Sequence, residues 1–246
     1  MNIVLLHGFC EDHNIWNELL KFSKNKASTF CIDLPGFGDN AANFEDGNSI
    51  ELMADFVHHE LERLEINNVI LIGHSLGGYV TLAMAEKYPE ELAAIGLFHS
   101  SAKADTEERK AGRLKTIELV KSKGAEAFHR VLIPALFKAN TDQAIIDNTI
   151  AIAKSAKEDG IIAALNAMRN RPDRTAVLSS FEKPILFIAG ESDELIPKDV
   201  MLEQAALCKL AKVEVLPQSA HMGQIEEAAK SAEIIDDFAA FVASRS

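Results

Sequence analysis

Short apolar runs punctuate this chain, and longer stretches between them return an apolar residue every third or fourth position. The runs cover residues 2–6, 29–32, 69–73, 92–98, 184–190 and 212–216. Most are apolar throughout rather than alternating, as expected of strands covered on both faces. Helical periodicity fills 15–22, 49–64, 79–87, 198–206 and 224–243. In 49–64 it is carried by Met53, Phe56, Val57, Leu61 and Leu64, and 79–87 stops ahead of Pro89. Strand and helix in alternation imply a mainly parallel sheet with right-handed crossovers and helices on both faces. Functional groups of such sheets gather past the carboxyl ends of the strands. His7, Asp33, Ser75 and Ser100 each lie just beyond a predicted strand end.

The alternation stops between residues 103 and 171, where only helical pattern is found. Asp105 with Glu108 resembles a capping box opening a helix that reaches Lys123. Gly124 separates it from a helix over 125–137, and helices over 141–157 and 161–169 follow. A block of about seventy helical residues between two strands reads as a lid set on the functional rim. The expected division is therefore a core of 1–102 and 172–246 with an inserted helical cap of 103–171.

Composition narrows the function. A net charge of −12 argues against nucleic acid and against an anionic membrane surface. Cys10, Cys31 and Cys208 are an odd number without metal-ligand spacing and read as reduced thiols in a reducing compartment; no metal and no other cofactor is expected. The N-terminus shows no basic-then-apolar leader, and no apolar run approaches a membrane span, so the expected compartment is the cytoplasm.

The chemistry centres on Val69-Ile70-Leu71-Ile72-Gly73-His74-Ser75-Leu76-Gly77-Gly78. A strand that turns sharply into a helix strains the turn residue, and its −2 and +2 neighbours must then be very small. Gly73 and Gly77 meet that demand and leave the Ser75 hydroxyl raised beside the positive end of a helix. Serine needs a base to act as a nucleophile at neutral pH. Of eight histidines, His58 and His59 sit on the polar side of a helix, and His129 lies in the inserted block. His13, His7 and His74 belong to loops or their flanks, and His99 ends a strand. His221 lies just after the last strand in a loop of small residues, free to reach the rim. Glu191, Asp193, Glu194 and Asp199 compete as its carboxylate partner.

Taken together, His7-Gly8-Phe9, Asp33-Leu34-Pro35-Gly36-Phe37-Gly38, the Ser75 elbow and the loops around Asp193 and His221 resemble the α/β-hydrolase superfamily, in its serine-nucleophile, capped, carboxylesterase-like branch. The resemblance implies a nucleophile, acid and base in the chain order Ser75, Asp193, His221. It favours Asp193 through the Gly-x-x-Asp spacing ahead of Pro197. It also implies an oxyanion site made by the amides of Phe9 and Leu76, with His7 bracing the loop and Cys10 packing. The chain opens on the strand before that loop, so about six strands are expected, without the family's two leading ones.

The activity implied is hydrolysis of a small to medium carboxylic ester or thioester through an acyl-enzyme. Alternatives are a carbon–carbon hydrolase or lyase with the same three residues, or a ligand receptor with little turnover. Halide- and epoxide-opening relatives carry aspartate at the elbow, which Ser75 disfavours. Ser100, Phe128, Leu132, Phe137 and Met222 are the candidate substrate-binding residues. Apolar positions of the block suggest an elongated acyl pocket, while Arg109, Arg113 and Arg130 could receive a substrate carboxylate.

Overall fold

A computed structural model describes residues 1–245. Six strands form one parallel sheet: β1 (Ile3–Leu6), β2 (Thr29–Ile32), β3 (Val69–His74), β4 (Leu92–Phe98), β5 (Ile185–Gly190) and β6 (Ala211–Leu216), in spatial order β2-β1-β3-β4-β5-β6. Every residue of β1, β3 and β5 is buried. Their side chains alternate between two cores. Val4, Leu6, Leu71 and Phe187 face one, while Ile3, Leu5, Ile72 and Ile188 face the other. The edge strands are less covered, and β6 interleaves Lys212 and Glu214 with Val213 and Val215.

Helices α1 (Asn17–Leu20), α10 (Gly223–Glu226) and α11 (Ala228–Ala243) cover one face. The other carries α2 (Ile50–Arg63), α3 (Leu76–Lys87), α8 (Thr175–Ser180) and α9 (Lys198–Ala205). Ser49 caps α2, its Oγ accepting from the Leu52 amide at 3.1 Å. Direction along the sheet reverses at β1, whose neighbours are β2 and β3, so the loops after β1 and β3 flank the switch-point crevice.

Between β4 and β5 the chain forms α4 (Glu107–Lys123), α5 (Ala125–Leu132), α6 (Gln143–Ala153) and α7 (Glu158–Asn170). The ends of this block are held together: the Arg174 amide donates to the Ala102 carbonyl at 2.8 Å, and the Ala102 amide to Gln204 at 2.6 Å.

Several elements depart from the sequence reading. The helix expected over 125–137 ends at Leu132 and tightens into a 3₁₀ turn, Ile133–Leu136, because Pro134 offers no amide hydrogen. Residues 15–22 split into a 3₁₀ turn, His13–Trp16, and the short α1. The last helix breaks at Glu227, and α8 was not expected. Thr106, not Asp105, caps α4, its Oγ accepting from the Arg109 amide at 3.3 Å. Asp105 is instead buried between Arg113 and Arg171.

Candidate active site

Ser75 stands between β3 and α3 with φ 49° and ψ −109°, a conformation that costs a non-glycine residue about 1–3 kcal/mol. Its amide still bonds the Phe98 carbonyl at 2.9 Å, so the sheet fixes the turn. A Cβ on Gly73 would lie 2.1 Å from the Gly77 carbonyl carbon, and one on Gly77 would lie 2.5 Å from the Leu6 oxygen. Those approaches are why both neighbours are glycine.

The structure brings the hydroxyl, an imidazole and a carboxylate into one line. Ser75 Oγ lies 3.0 Å from His221 Nε2, and His221 Nδ1 lies 2.8 Å from Asp193 Oδ2. An ionised carboxylate can only accept, so Nδ1 carries the ring proton and Nε2 is open to the serine hydroxyl. Asp193 Oδ1 accepts from the amides of Leu195 and Ile196 at 2.9 and 3.0 Å. Burial alone would raise the Asp193 carboxyl; the His221 and His99 rings outweigh that and hold it well below the usual carboxylate range. Glu191 and Lys198 form an exposed pair away from this line.

Behind it lies a second polar layer. His74 Nε2 donates to the His221 carbonyl at 2.8 Å, and its Nδ1 sits 3.0 Å from Glu11 Oε2, which also accepts the Gly8 amide at 2.7 Å. Burial works against charge on both groups, but their mutual attraction prevails: the His74 ring is raised and the Glu11 carboxyl lowered. His7 braces the loop as expected, accepting the Leu34 amide on Nε2 at 2.9 Å and donating from Nδ1 to the Gly8 carbonyl at 2.7 Å. Among the described residues, neither the Phe9 nor the Leu76 amide donates to another protein group. Cys10 is fully buried, and that burial pushes its thiol well up, away from a reactive thiolate.

A cavity of about 350 Å³ opens over Ser75 and His221. Phe9, Tyr79, Phe128, Leu132, Leu165 and Met168 supply much of its apolar wall. Arg109 and Arg113 also reach it, whereas Arg130 pairs with Glu126 on the surface. Of the five candidate substrate-binding residues, Phe128 and Leu132 line this cavity. Ser100 lies beneath the elbow and donates to the Ser75 carbonyl at 2.7 Å, and Met222 is buried in the core. Phe137 borders a neighbouring cavity behind His221. Phe137 follows the 3₁₀ turn Ile133–Leu136 and is buried in the core on the side of Trp16 and Phe98.

Sequence reasoning overlooked Glu11 and the role of His99, whose Nδ1 lies 3.1 Å from Asp193 Oδ2. The available signals were an acid two residues past Phe9 and a histidine at the same rim as Ser75. Three clusters among the described residues have ligand atoms close enough to share a metal ion. In His99–Asp193–His221 those atoms are committed to one another, and in His13–Asp33–Asp39 the Asp33 oxygens bind His13 and backbone amides. The third, His58–His59–Glu62, lies on the surface of α2, where His58 already pairs with Glu91.

The model of a family described as alpha/beta hydrolase fold matches residues 2–228. The chain is 28% identical over 236 residues to the dihydrolipoyllysine-residue acetyltransferase component of the acetoin cleaving system of Pseudomonas putida. That match covers 92% of this chain but only 60% of the relative's length. It is 28% identical over 229 residues to a pimeloyl-[acyl-carrier protein] methyl ester esterase of Pseudoalteromonas atlantica, covering 89% of this chain and 87% of the relative. Its fold matches a malate-bound thermophilic esterase of Thermogutta terrifontis with a TM-score of 0.89 and 26% identity, over 98% of this chain and 90% of the other.

Proposed function

The chain belongs to the alpha/beta hydrolase fold family, and from that premise we propose that it is a serine hydrolase of small to medium carboxylic esters or thioesters. The observation that carries this reading is the 3.0 Å approach of His221 Nε2 to Ser75 Oγ, with Asp193 fixed behind the ring. Two of the similar proteins just described are esterases, which supports the same bond class.

In this reading Ser75 Oγ attacks the acyl carbonyl as His221 takes its proton, and Asp193 stabilises the resulting imidazolium. The amides of Phe9 and Leu76, which lack protein acceptors, receive the developing oxyanion. Collapse breaks the bond to the alcohol or thiol, which leaves with the proton from His221. Water, deprotonated by the same ring, then releases the acid and restores Ser75. Residues 103–171 form a cap whose helices enclose the acyl group. The mostly apolar cavity suits an acyl chain of a few to several carbons.

Arg109 and Arg113 on the wall favour a second reading, a carbon–carbon hydrolase or lyase acting on an acidic substrate. It ranks lower because Asp105 already pairs with Arg113.

The test is turnover of p-nitrophenyl acetate, butyrate and octanoate by the wild-type chain and by Ser75→Ala. We expect repeated turnover by the former and a loss of order 10⁴-fold or more in kcat in the latter. Equal rates in both would remove the esterase assignment.

A further inference from the structure

His99 is the second imidazole on the Asp193 carboxylate. Its Nδ1 lies 3.1 Å from Oδ2, the oxygen that His221 Nδ1 approaches to 2.8 Å. Its own Nε2 accepts the Gly223 amide at 3.2 Å. That acceptance leaves Nε2 without a proton, so the one ring proton sits on Nδ1 and points at Asp193. The ring is wholly buried, and burial pushes it down to about 4, so it stays neutral wherever the site would work.

The niche is built for this ring. A Cβ on Gly223 would lie 2.6 Å from His99 Nε2, and one on Gly190 would lie 2.9 Å from its Cε1. His99 itself adopts φ 48°, a left-handed conformation rare outside glycine, asparagine, aspartate and histidine. The ring packs against Phe98 and His74 and is not part of the wall of the cavity over Ser75.

We propose that His99 is a positioning residue for the reaction at Ser75: a permanently neutral donor that pins the Asp193 carboxylate and tempers its hold on the His221 proton. The inference rests on the serine-hydrolase reading above. With Leu195 and Ile196 on Oδ1 and two imidazoles on Oδ2, all four acceptor directions of the carboxylate are used. Each donor spreads the negative charge. Removing the His99 donor concentrates charge toward His221, favours its protonated form and takes the base out of action at a higher pH. A second cation at His99, with ring centroids only 5.5 Å apart, would do the reverse and oppose formation of the imidazolium. Neutrality of His99 is therefore part of the device.

The other ionisable groups around His221 are Asp193, His74 with its partner Glu11, and Glu226, which accepts the Ala220 and Met222 amides. Of these, His99 touches Asp193 through its hydrogen bond and the His74 ring edge-on at 5.9 Å, whereas Glu11 and Glu226 take their hydrogen bonds from other groups.

The experiment compares His99→Ala and His99→Asn on p-nitrophenyl butyrate from pH 5 to 9. Asparagine tolerates the left-handed backbone and carries an N–H in the place of Nδ1. For the alanine variant we expect kcat to fall about tenfold, KM to stay within about twofold, and the acid limb of kcat/KM to move up by about half to one pH unit. The asparagine variant should return the limb toward its wild-type position and recover most of kcat. An acid limb unmoved in alanine, or asparagine as impaired as alanine, overturns the proposal. If neither variant folds, ¹⁵N NMR of histidine-labelled wild-type protein decides it. His99 should show the Nδ1–H tautomer unchanged over the whole range, and a titrating ring or an Nε2–H tautomer overturns the assignment. A wild-type chain inactive on all three esters defeats the esterase reading instead, and this inference with it.

Discussion

Glu11 and His74 form an ion pair with both side chains almost completely enclosed, their atoms 3.0 Å apart. It ties three segments: the Gly8 amide of the loop after β1, the last residue of β3, and the carbonyl of His221. Removing one partner from such a pair strands the other charge and costs about 3–5 kcal/mol. The pH dependence has a definite sign at each end. Glu11 is lowered from 4.5, so its contribution is complete above that value and is lost as pH falls through the folded value. His74 is raised from 6.5, so its contribution is complete below that value and is lost as pH climbs through the folded one. Both are fully present between about pH 4.5 and 6.5. Urea unfolding should show the widest gap between wild type and Glu11→Gln near pH 5.5, narrowing as pH climbs from about 6.5 through the folded value of His74. A gap independent of pH would mean that the pair is not ionised in the fold. At this scale the sequence was partly readable. Spacing around Ser75 announced both glycines, but nothing local linked Glu11 to a histidine 63 residues away.

Among the elements, α7 meets the core at its first turn, where Gly160 lies against Gly36 of the turn after β2. Two effects compete in Gly160→Ala. Alanine favours a helix by about 1 kcal/mol over glycine. Its Cβ, however, would sit 2.2 Å from the Gly36 oxygen and 3.0 Å from its Cα, and backbone at φ 89° has little room to retreat. Overpacking of this kind costs about 1–3 kcal/mol, so the clash wins. The expected result is a lower unfolding midpoint and a raised KM for p-nitrophenyl octanoate, since α7 also carries Leu165 and Met168 of the cavity wall. A variant more stable than wild type would show that α7 does not press on this turn. The strands were legible because the buried ones are apolar on both faces, a pattern that needs no partner to interpret. Helix starts were less so. Asp105 and Thr106 are both good caps, and the choice is settled by Arg171, 66 residues further on, which draws Asp105 inward.

Across the whole molecule, Ser75 and His221 are 146 residues apart in sequence yet share a hydrogen bond, because parallel strands deliver every loop after a strand to one rim. That geometry is a property of topology, which is why the rim residues could be named from the sequence. The cavity wall could be named only in part, through Phe128 and Leu132 but not Leu165 or Met168, because its far side belongs to helices whose placement depends on long-range contacts. Arg109 illustrates this. From α4 its Nη2 donates to the Leu195 carbonyl at 2.5 Å, while the Leu195 amide holds Asp193 Oδ1. The exposed bond joins the inserted helices to the loop carrying the carboxylate, across a cavity that both residues line. Because Arg109 is exposed, Arg109→Ala should change stability by no more than about 0.5 kcal/mol. Its effect should fall on the part of the substrate that reaches α4. KM for p-nitrophenyl octanoate is expected to rise roughly three- to fivefold, with acetate almost unaffected, because a two-carbon acyl group ends near Ser75. An equal rise for both esters would place the influence of Arg109 on the Asp193 loop instead of on the acyl wall.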